Sequence, residues 1–460
     1  MRLRKTKDTV NAKGKEQLKL FPKGSVLFTK SGASTLLNQR AILGQDSYIV
    51  SHIGIAMPKD GVLSEWLFYW LKLVDFADYA HGANMPSMPL SKAKLISTPL
   101  PPLNEQKRIV AKIEELFSEL DKGIESLKTA REQLKVYRQA VLKHAFEGKL
   151  TADWREANKD KLKTADQLLD RIKQEREAHY QQQLKEWESA IKKWEQNGKD
   201  GKKPAKPKKL SSVEISSESK LQKLPYGWCW VSFGDSSDWT GGGTPSKSRS
   251  EFWENGDILW VSPKDMKTRK IKDTLQKVTK TGVDNSSAKL IKYLSILFVV
   301  RSGILRRILP IAIAPANITV NQDMQAIMPY FHDIDFLYWY SFANDYQIRE
   351  QCSKDGTTVE SIEVYELKKF PCPVASIEEQ KEIVNLIELK MSVIDELEVT
   401  IDVEIKKSES LRQSILKKAF SGMLVEQDPN DEPASVLLER IKAEKAKLVK
   451  TTKKKRKNAA

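Results

Sequence analysis

The strongest constraint on this chain is that it repeats itself: Asn104-Glu105-Gln106-Lys107-Arg108-Ile109-Val110 returns 274 residues later as Glu378-Glu379-Gln380-Lys381-Glu382-Ile383-Val384. The same offset carries the run from Arg138 to Gly148 onto the run from Arg412 to Gly422 without an insertion. A third match, Leu168 to Lys173 with Leu437 to Lys442, extends the duplication into a shorter segment beyond each of these. A chain with one plan used twice folds into two related halves, each with its own core.

The ungapped stretches predict two long helices, over 104–150 and 376–424. Each follows Pro-rich chain, opens with Asn104 or Ser376 at the N-cap, carries acidic residues in its first turn, and stops at Gly148 or Gly422, where a left-handed residue ends a helix. Between these limits Ile109, Ile113, Leu116, Leu120, Leu127, Leu134, Tyr137 and Val141 recur in mostly three- and four-residue steps. So do Ile383, Ile387, Ile394, Leu397, Ile401, Leu411 and Ile415. Such spacing describes a coiled-coil seam. Ile109, Ile113, Leu120, Leu127, Ile383, Ile387, Ile394 and Ile401 are the expected packing positions of the two helices against each other.

Two mixed regions, 1–103 and 224–375, lie outside the helices and contain strand-like runs such as Ile258-Leu259-Trp260-Val261 and Ile296-Leu297-Phe298-Val299-Val300. They too are related, because Ser25-Val26-Leu27-Phe28 matches Ser295-Ile296-Leu297-Phe298 and Gln45-Asp46 matches Gln322-Asp323, with offsets that drift from 270 to 277. Drift means loops of different length, so constant spacers carry variable domains. Residues 151–223 read as a charged helical linker and 425–460 as a short helix with a basic tail. The expected fold class is α+β, two mixed α/β domains separated by two long coiled-coil helices in an internal pseudo-two-fold repeat. Carried back to Met1, the repeat leaves residues 224 to about 271 without a counterpart, so the first domain is expected to be amino-terminally truncated.

The balance of 77 Lys and Arg against 61 Asp and Glu, a formal charge of +16, favours a polyanionic partner. Cys229, Cys352 and Cys372 are too few and too scattered for a disulfide framework or a four-ligand zinc site. No stretch approaches the roughly 18 apolar residues of a membrane span, and the start has no signal-like apolar region. A cytoplasmic protein without membrane contact is expected. No phosphate-cradling Gly-x-x-x-x-Gly-Lys-Ser/Thr loop and no nucleophile turn occurs, and His52, His81, His144, His179 and His332 are dispersed. Gly241-Gly242-Gly243 lacks the lysine of a phosphate loop and reads as a tight turn. A non-catalytic chain with no catalytic residue, metal site or cofactor of its own follows.

The Leu224-Pro225-Tyr226-Gly227-Trp228 start, the Gly242-Gly243-Thr244-Pro245-Ser246 turn, the Gly256-Asp257-Ile258-Leu259-Trp260-Val261 run and the Glu-Gln-Lys helix openings together resemble specificity subunits of type I restriction–modification systems. The resemblance covers nearly the whole chain and rests on the order and duplication of these motifs. It implies two target-recognition domains, each reading one half of an interrupted double-stranded DNA sequence, separated by two long antiparallel coiled-coil helices. The two helices then serve as a ruler, a helix of about 40 residues being roughly 60 Å long. It further implies methyltransferase (M) and restriction/translocase (R) subunits as partners, with S-adenosylmethionine, ATP and magnesium bound by those partners.

Reading base edges needs Arg, Lys, Asn or Gln on loops that reach a groove. The candidates are Lys30, Gln39, Arg40 and Asn84 in the first domain. In the second they are Lys247 and Arg249 after the glycine turn, Lys264, Lys267 and Arg269 after the Trp260 strand, and Arg301, Arg306 and Arg307. Phosphate contacts ordinarily outnumber base contacts, so part of this set is expected to touch the backbone only. The residues leave open a different reading, a coiled-coil assembly scaffold with only non-specific DNA contact.

Overall fold

The computed structural model describes residues 2–457, apart from 7–8, 83–85, 200–202, 210, 218–220 and 355–358, with side chains described as far as 447. In chain order the elements used below begin with β1 (Arg2–Leu3), β2 (Leu20–Phe21), β3 (Val26–Thr29), β4 (Arg40–Leu43), β5 (Ser47–Tyr48) and β6 (Ile53–Ala56). Helices α1 (Ser64–Leu73), α2 (Leu103–Phe146) and α3 (Ala165–Gln196) follow. Next come β7 (Cys229–Ser232), β8 (Ser237–Gly241), β9 (Ile258–Val261), β10 (Gln276–Val278), β11 (Ser295–Val299), β12 (Ile311–Ala314), β13 (Thr319–Val320) and β14 (Met324–Pro329). The chain closes with α4 (Ile334–Ala343), β15 (Pro371–Val374), α5 (Ile377–Phe420) and α6 (Ala434–Lys457). These elements form two units, residues 1–131 with 398–460, and residues 132–397.

The first unit is built on the sheet β1-β4-β3-β6. β3 pairs antiparallel with β4 and β6, and β1 runs parallel to β4 with Arg2 opposite Ile42. Val26, Phe28, Ile42, Phe68, Phe76 and Met88 form its core, with Phe28 edge-on to Phe76 at 5.0 Å. α1 packs its other face on the long helices. Trp66 is buried with Ile109 and Ile113 of α2 and Ile415, Leu416 and Ala419 of α5, and Phe420 lies 4.3 Å from the Trp66 ring and 5.2 Å from Trp70.

The second unit repeats this plan with more strands. Its sheet β12-β11-β14-β8 is antiparallel throughout, and Lys270 bridges in parallel to Ile313 as Arg2 does to Ile42. The three-stranded β10-β9-β13 and the pair β15-β7 complete it. Phe146 of α2 contacts Phe336 at 5.3 Å and Tyr340 at 5.2 Å on α4. Phe420 on Trp66 and Trp70 reproduces this contact 274 residues on. The aromatic clusters 66–70 and 336–340 are thus core helices, as their spacing indicates.

The two 44-residue helices pack together within each unit. In the first unit Asp121 pairs with Arg412 and Arg131 with Asp402 at 3.1 Å, so ten residues up α2 correspond to ten down α5 and the helices are antiparallel. In the second, Ile383, Ile387, Met391 and Ile394 are buried with Val141, Leu142, Ala145 and Phe146. Ile109, Ile113, Ile383, Ile387, Ile394 and Ile401 are buried, Leu120 and Leu127 are half-buried, and Tyr137, Leu397 and Leu411 are 47%, 45% and 49% exposed. The helix pairing that the periodicity marks is thus present in each unit, with its positions unequally buried.

Two further differences from expectation have local causes. Ser376 accepts the Glu379 N–H at 3.2 Å as an N-cap should, but the equivalent position is Pro102, and Asn104 lies inside the first turn of α2. Residues 203–209 and 211–217 do not trail free as a linker. The Trp187 indole donates to the Pro204 carbonyl at 3.1 Å, Lys209 pairs with Glu177 at 2.8 Å and the Val213 N–H donates to Asp235 at 2.9 Å, strapping the segment along α3 and the second unit. Among the described residues no helix is long and apolar enough to cross a membrane.

Candidate nucleic-acid interface

The candidate readers fall into three groups by the company they keep. Arg40 is held inside, and Arg269 is half-buried and paired. Arg40, first residue of β4, is 5% exposed, donates to the Leu71 carbonyl at 3.1 Å and the Gln39 carbonyl at 2.8 Å, and stacks 3.8 Å from the Phe76 ring. Burial lowers its pKa to about 10, so its environment is set by packing. Arg269 pairs with Asp335 and, at 2.7 Å, with Glu388, over the rings of Tyr338 and Trp339. Either would have to give up these partners to reach a groove, and for Arg40 the partners are buried.

A second group is exposed but paired: Arg249 with Glu251 at 2.7 Å, Arg301 with Asp323 at 2.7 Å, and Arg306 with Glu360. Exposed pairs of this kind hold together by only about 0–1 kcal/mol and exchange readily for a phosphate. A third group, Lys30, Gln39, Lys247, Lys264, Lys267 and Arg307, makes no ion pair among the described residues. Lys247 does lie 5.8 Å over the Trp260 ring. Asn84 lies outside the described residues.

Local packing joins several of these loops. The Trp260 indole donates to the Gly243 carbonyl at 3.0 Å, tying the glycine turn to β9 and so to Lys264 and Lys267 just beyond it. Thr244 bonds Gln322, whose neighbour Asp323 holds Arg301. Gly242 is required by close approach: a Cβ there would stand 2.0 Å from the Asn321 carbonyl oxygen. The turn is thus a packing contact between two loops, and its φ angles are not left-handed. The β3–β4 loop of the first unit places Lys30 where β11 leads to Arg301.

Gln45 and Gln322 were absent from the candidates. Both are exposed, but Gln45 lies in the turn between β4 and β5 and Gln322 in the turn between β13 and β14, so the Gln-Asp shared by the two halves in sequence falls in different turns of the fold. Among the described residues no group of three His, Cys, Asp or Glu side chains is arranged to hold a metal ion. His332 is buried, its Nε2 3.3 Å from the Pro373 carbonyl oxygen and 3.4 Å from the Cys372 sulfur, and burial pushes its pKa down to about 4. It is a core histidine.

Comparison with known proteins gives this arrangement a family. The type I restriction modification DNA specificity domain matches residues 3–130 and 225–407. The EcoR124I/EcoR124II specificity subunit of Escherichia coli is 34% identical over 219 residues, 44% of this chain and 54% of that protein, so the chain spans just over half of that relative. The EcoKI specificity subunit of Escherichia coli strain K12 is 24% identical over 458 residues, 94% of this chain and 83% of that one. The HsdS subunit from Thermoanaerobacter tengcongensis shares the fold, with a TM-score of 0.52 at 18% identity over 88% of this chain and 83% of its own. With both sheet domains and most of the paired helices inside the matched regions, this chain belongs to the type I restriction–modification DNA specificity subunits, the non-catalytic components that determine which DNA is acted on.

Proposed function

We propose that the chain reads a two-part double-stranded DNA target, the domain of residues 1–103 addressing one half and that of residues 224–375 the other, with α2 and α5 as spacer. The observation that carries this reading is the duplication itself. The same sheet, the same aromatic helix and the same helix ends recur, while the loops on them differ and bear the unpaired cations Lys30, Lys264, Lys267 and Arg307. Gln39, Gln45 and Gln322 on these loops suit adenine edges, and the cations suit guanine or phosphate.

The helices serve as the docking site for the methyltransferase (M) subunits, and through them for the restriction/translocase (R) subunits. Support comes from apolar side chains left in solvent on the paired helices of the second unit, Val136, Tyr137, Leu389 and Val393, more than a solvated helix pair needs. S-adenosylmethionine, ATP and magnesium belong to those partners, and the assembly works in the cytoplasm.

The test is to express the chain with its methyltransferase subunit and sequence the methylome, which is expected to return one interrupted motif. In duplex binding, Lys264→Ala with Lys267→Ala should weaken affinity and lower the salt slope by about 2 if both touch phosphate. Binding with no sequence preference, and no methylated motif, would leave the assembly-scaffold reading in its place.

A further inference from the structure

Arg301 is held in a way that the other exposed arginines of the second domain are not. It follows β11, and its backbone N–H and that of Val300 donate to the Asp323 carbonyl at 3.3 and 2.8 Å, which binds the end of β11 to the turn that opens β14. In that turn the Asp323 carboxylate is fixed at both oxygens. One accepts the Arg301 Nε–H at 2.7 Å, and the other accepts the Asn321 side-chain amide at 3.4 Å. Asn321 is buried, accepts the Asp323 N–H at 3.0 Å through its side-chain oxygen, and donates its own backbone N–H to the Val261 carbonyl of β9 at 2.9 Å.

Arg249 and Arg306 are also bonded through Nε, to Glu251 and Glu360. Those acceptors sit on longer side chains, 51% and 36% exposed against 22% for Asp323, and such a pair opens at little cost. The Asp323 carboxylate cannot swing away without breaking the turn that holds it.

The consequence lies in which N–H groups remain. A guanidinium carries five, in a planar fork. With Nε spent on Asp323, the terminal nitrogens of the exposed Arg301 have no other hydrogen-bond partner among the described residues. Two such donors match the O6 and N7 acceptors of guanine and fail on adenine, whose N6 amino group puts a donor where guanine has an acceptor. A phosphate is the weaker fit, because the Asp323 charge beside the guanidinium offsets its pull on an anion, whereas a neutral base edge needs only the donors.

The position suits the task. Val299 lies opposite Met324 and Gln325 opposite Gly241, so Arg301, Asp323 and the glycine turn leave the sheet at the same end. Thr244 of that turn bonds Gln322, next to Asp323. Beyond Arg301 the loop is anchored by the Ser302 hydroxyl, which accepts the Ile304 N–H at 3.4 Å, and by buried Leu305.

We infer that Arg301 reads one guanine of the target end-on, through its two terminal nitrogens in the major groove, and that Asp323 is the positioning residue that holds the fork in this orientation. The inference rests on the DNA reading proposed above and ties one base position to one side chain within it. In the first domain Lys30 stands at the matching sequence position, a point charge without a fork, so this contact belongs to the half-site of the second domain.

The experiment uses the full chain assembled with its methyltransferase subunit. The methylated motif is read first, and duplexes are then made with each guanine of the motif replaced in turn by 7-deazaguanine, which lacks the N7 acceptor. The parent complex is expected to lose about tenfold or more in affinity at the guanine that Arg301 reads. Arg301→Lys keeps the charge and loses the fork, so it should drop the preference for guanine at that one position and become indifferent to the missing N7 there, with the other positions and the salt slope unchanged. Asp323→Ala should weaken the same preference and no other. A uniform loss over all sequences in Arg301→Lys would make this residue a phosphate contact and overturn the inference. So would an unaltered preference at every guanine, or a motif without guanine. A parent complex with no sequence preference at all would overturn the DNA reading itself, and the inference with it.

Discussion

Single residues in this protein take their roles from burial more than from type. His332 shows this most simply. Its pKa is ordinary in the unfolded chain, near 6.5, and is lowered to about 4 by burial in the fold. The neutral form is therefore favoured when folded, and stability is full above pH 6.5 and lost as pH falls toward 4, where the unfolded chain takes the proton first. The loss amounts to about 3 kcal/mol across that window. Thermal unfolding of His332→Phe between pH 7 and 4 should show a shallower acid slope than the parent, and equal slopes would mean that other groups govern the acid response. Arg40 makes the complementary point, since a cation that reads as a DNA contact is instead bonded to carbonyls under α1.

At the scale of elements, the positions along the paired helices are unequally buried, and this sets where substitutions hurt. Ile394 is fully buried against α2, whereas Leu120 is half-exposed. Ile394→Asp leaves an unpaired charge in an apolar seam and should cost about 3–5 kcal/mol. Leu120→Asp should cost clearly less. Chemical denaturation of the two variants checks the order, and equal losses would restore the uniform seam that periodicity alone implies. The same helices keep apolar side chains in solvent where they are not packed, so charge at Val393 should weaken methyltransferase capture while leaving stability nearly unchanged, as a co-purification yield would show.

For the whole molecule the duplication makes the two readers separable. Grafting residues 224–375 from another family member should change one half of the methylated motif and leave the other half intact, read by methylome sequencing. A change in both halves would rule out one domain per half-site. The purified chain should transfer no methyl group to DNA until its partner is added, and methylation by the chain alone would contradict its non-catalytic character.

The sequence by itself determined the fold class, the two long helices with their glycine stops, the aromatic core helices and the equivalence of the two halves, because these depend on periodicity and on identical residues at a constant offset. Only the tertiary structure decided which cations stay free. Arg40, Arg269 and Arg301 are alike in sequence, and their differing partners, Leu71, Glu388 and Asp323, lie 22 to 119 residues away along the chain. It also decided that the Glu379 carboxylate takes three donors, from Thr151, Arg155 and Trp228, since burial and hydrogen bonding are set by segments brought together in space and leave no trace in local spacing.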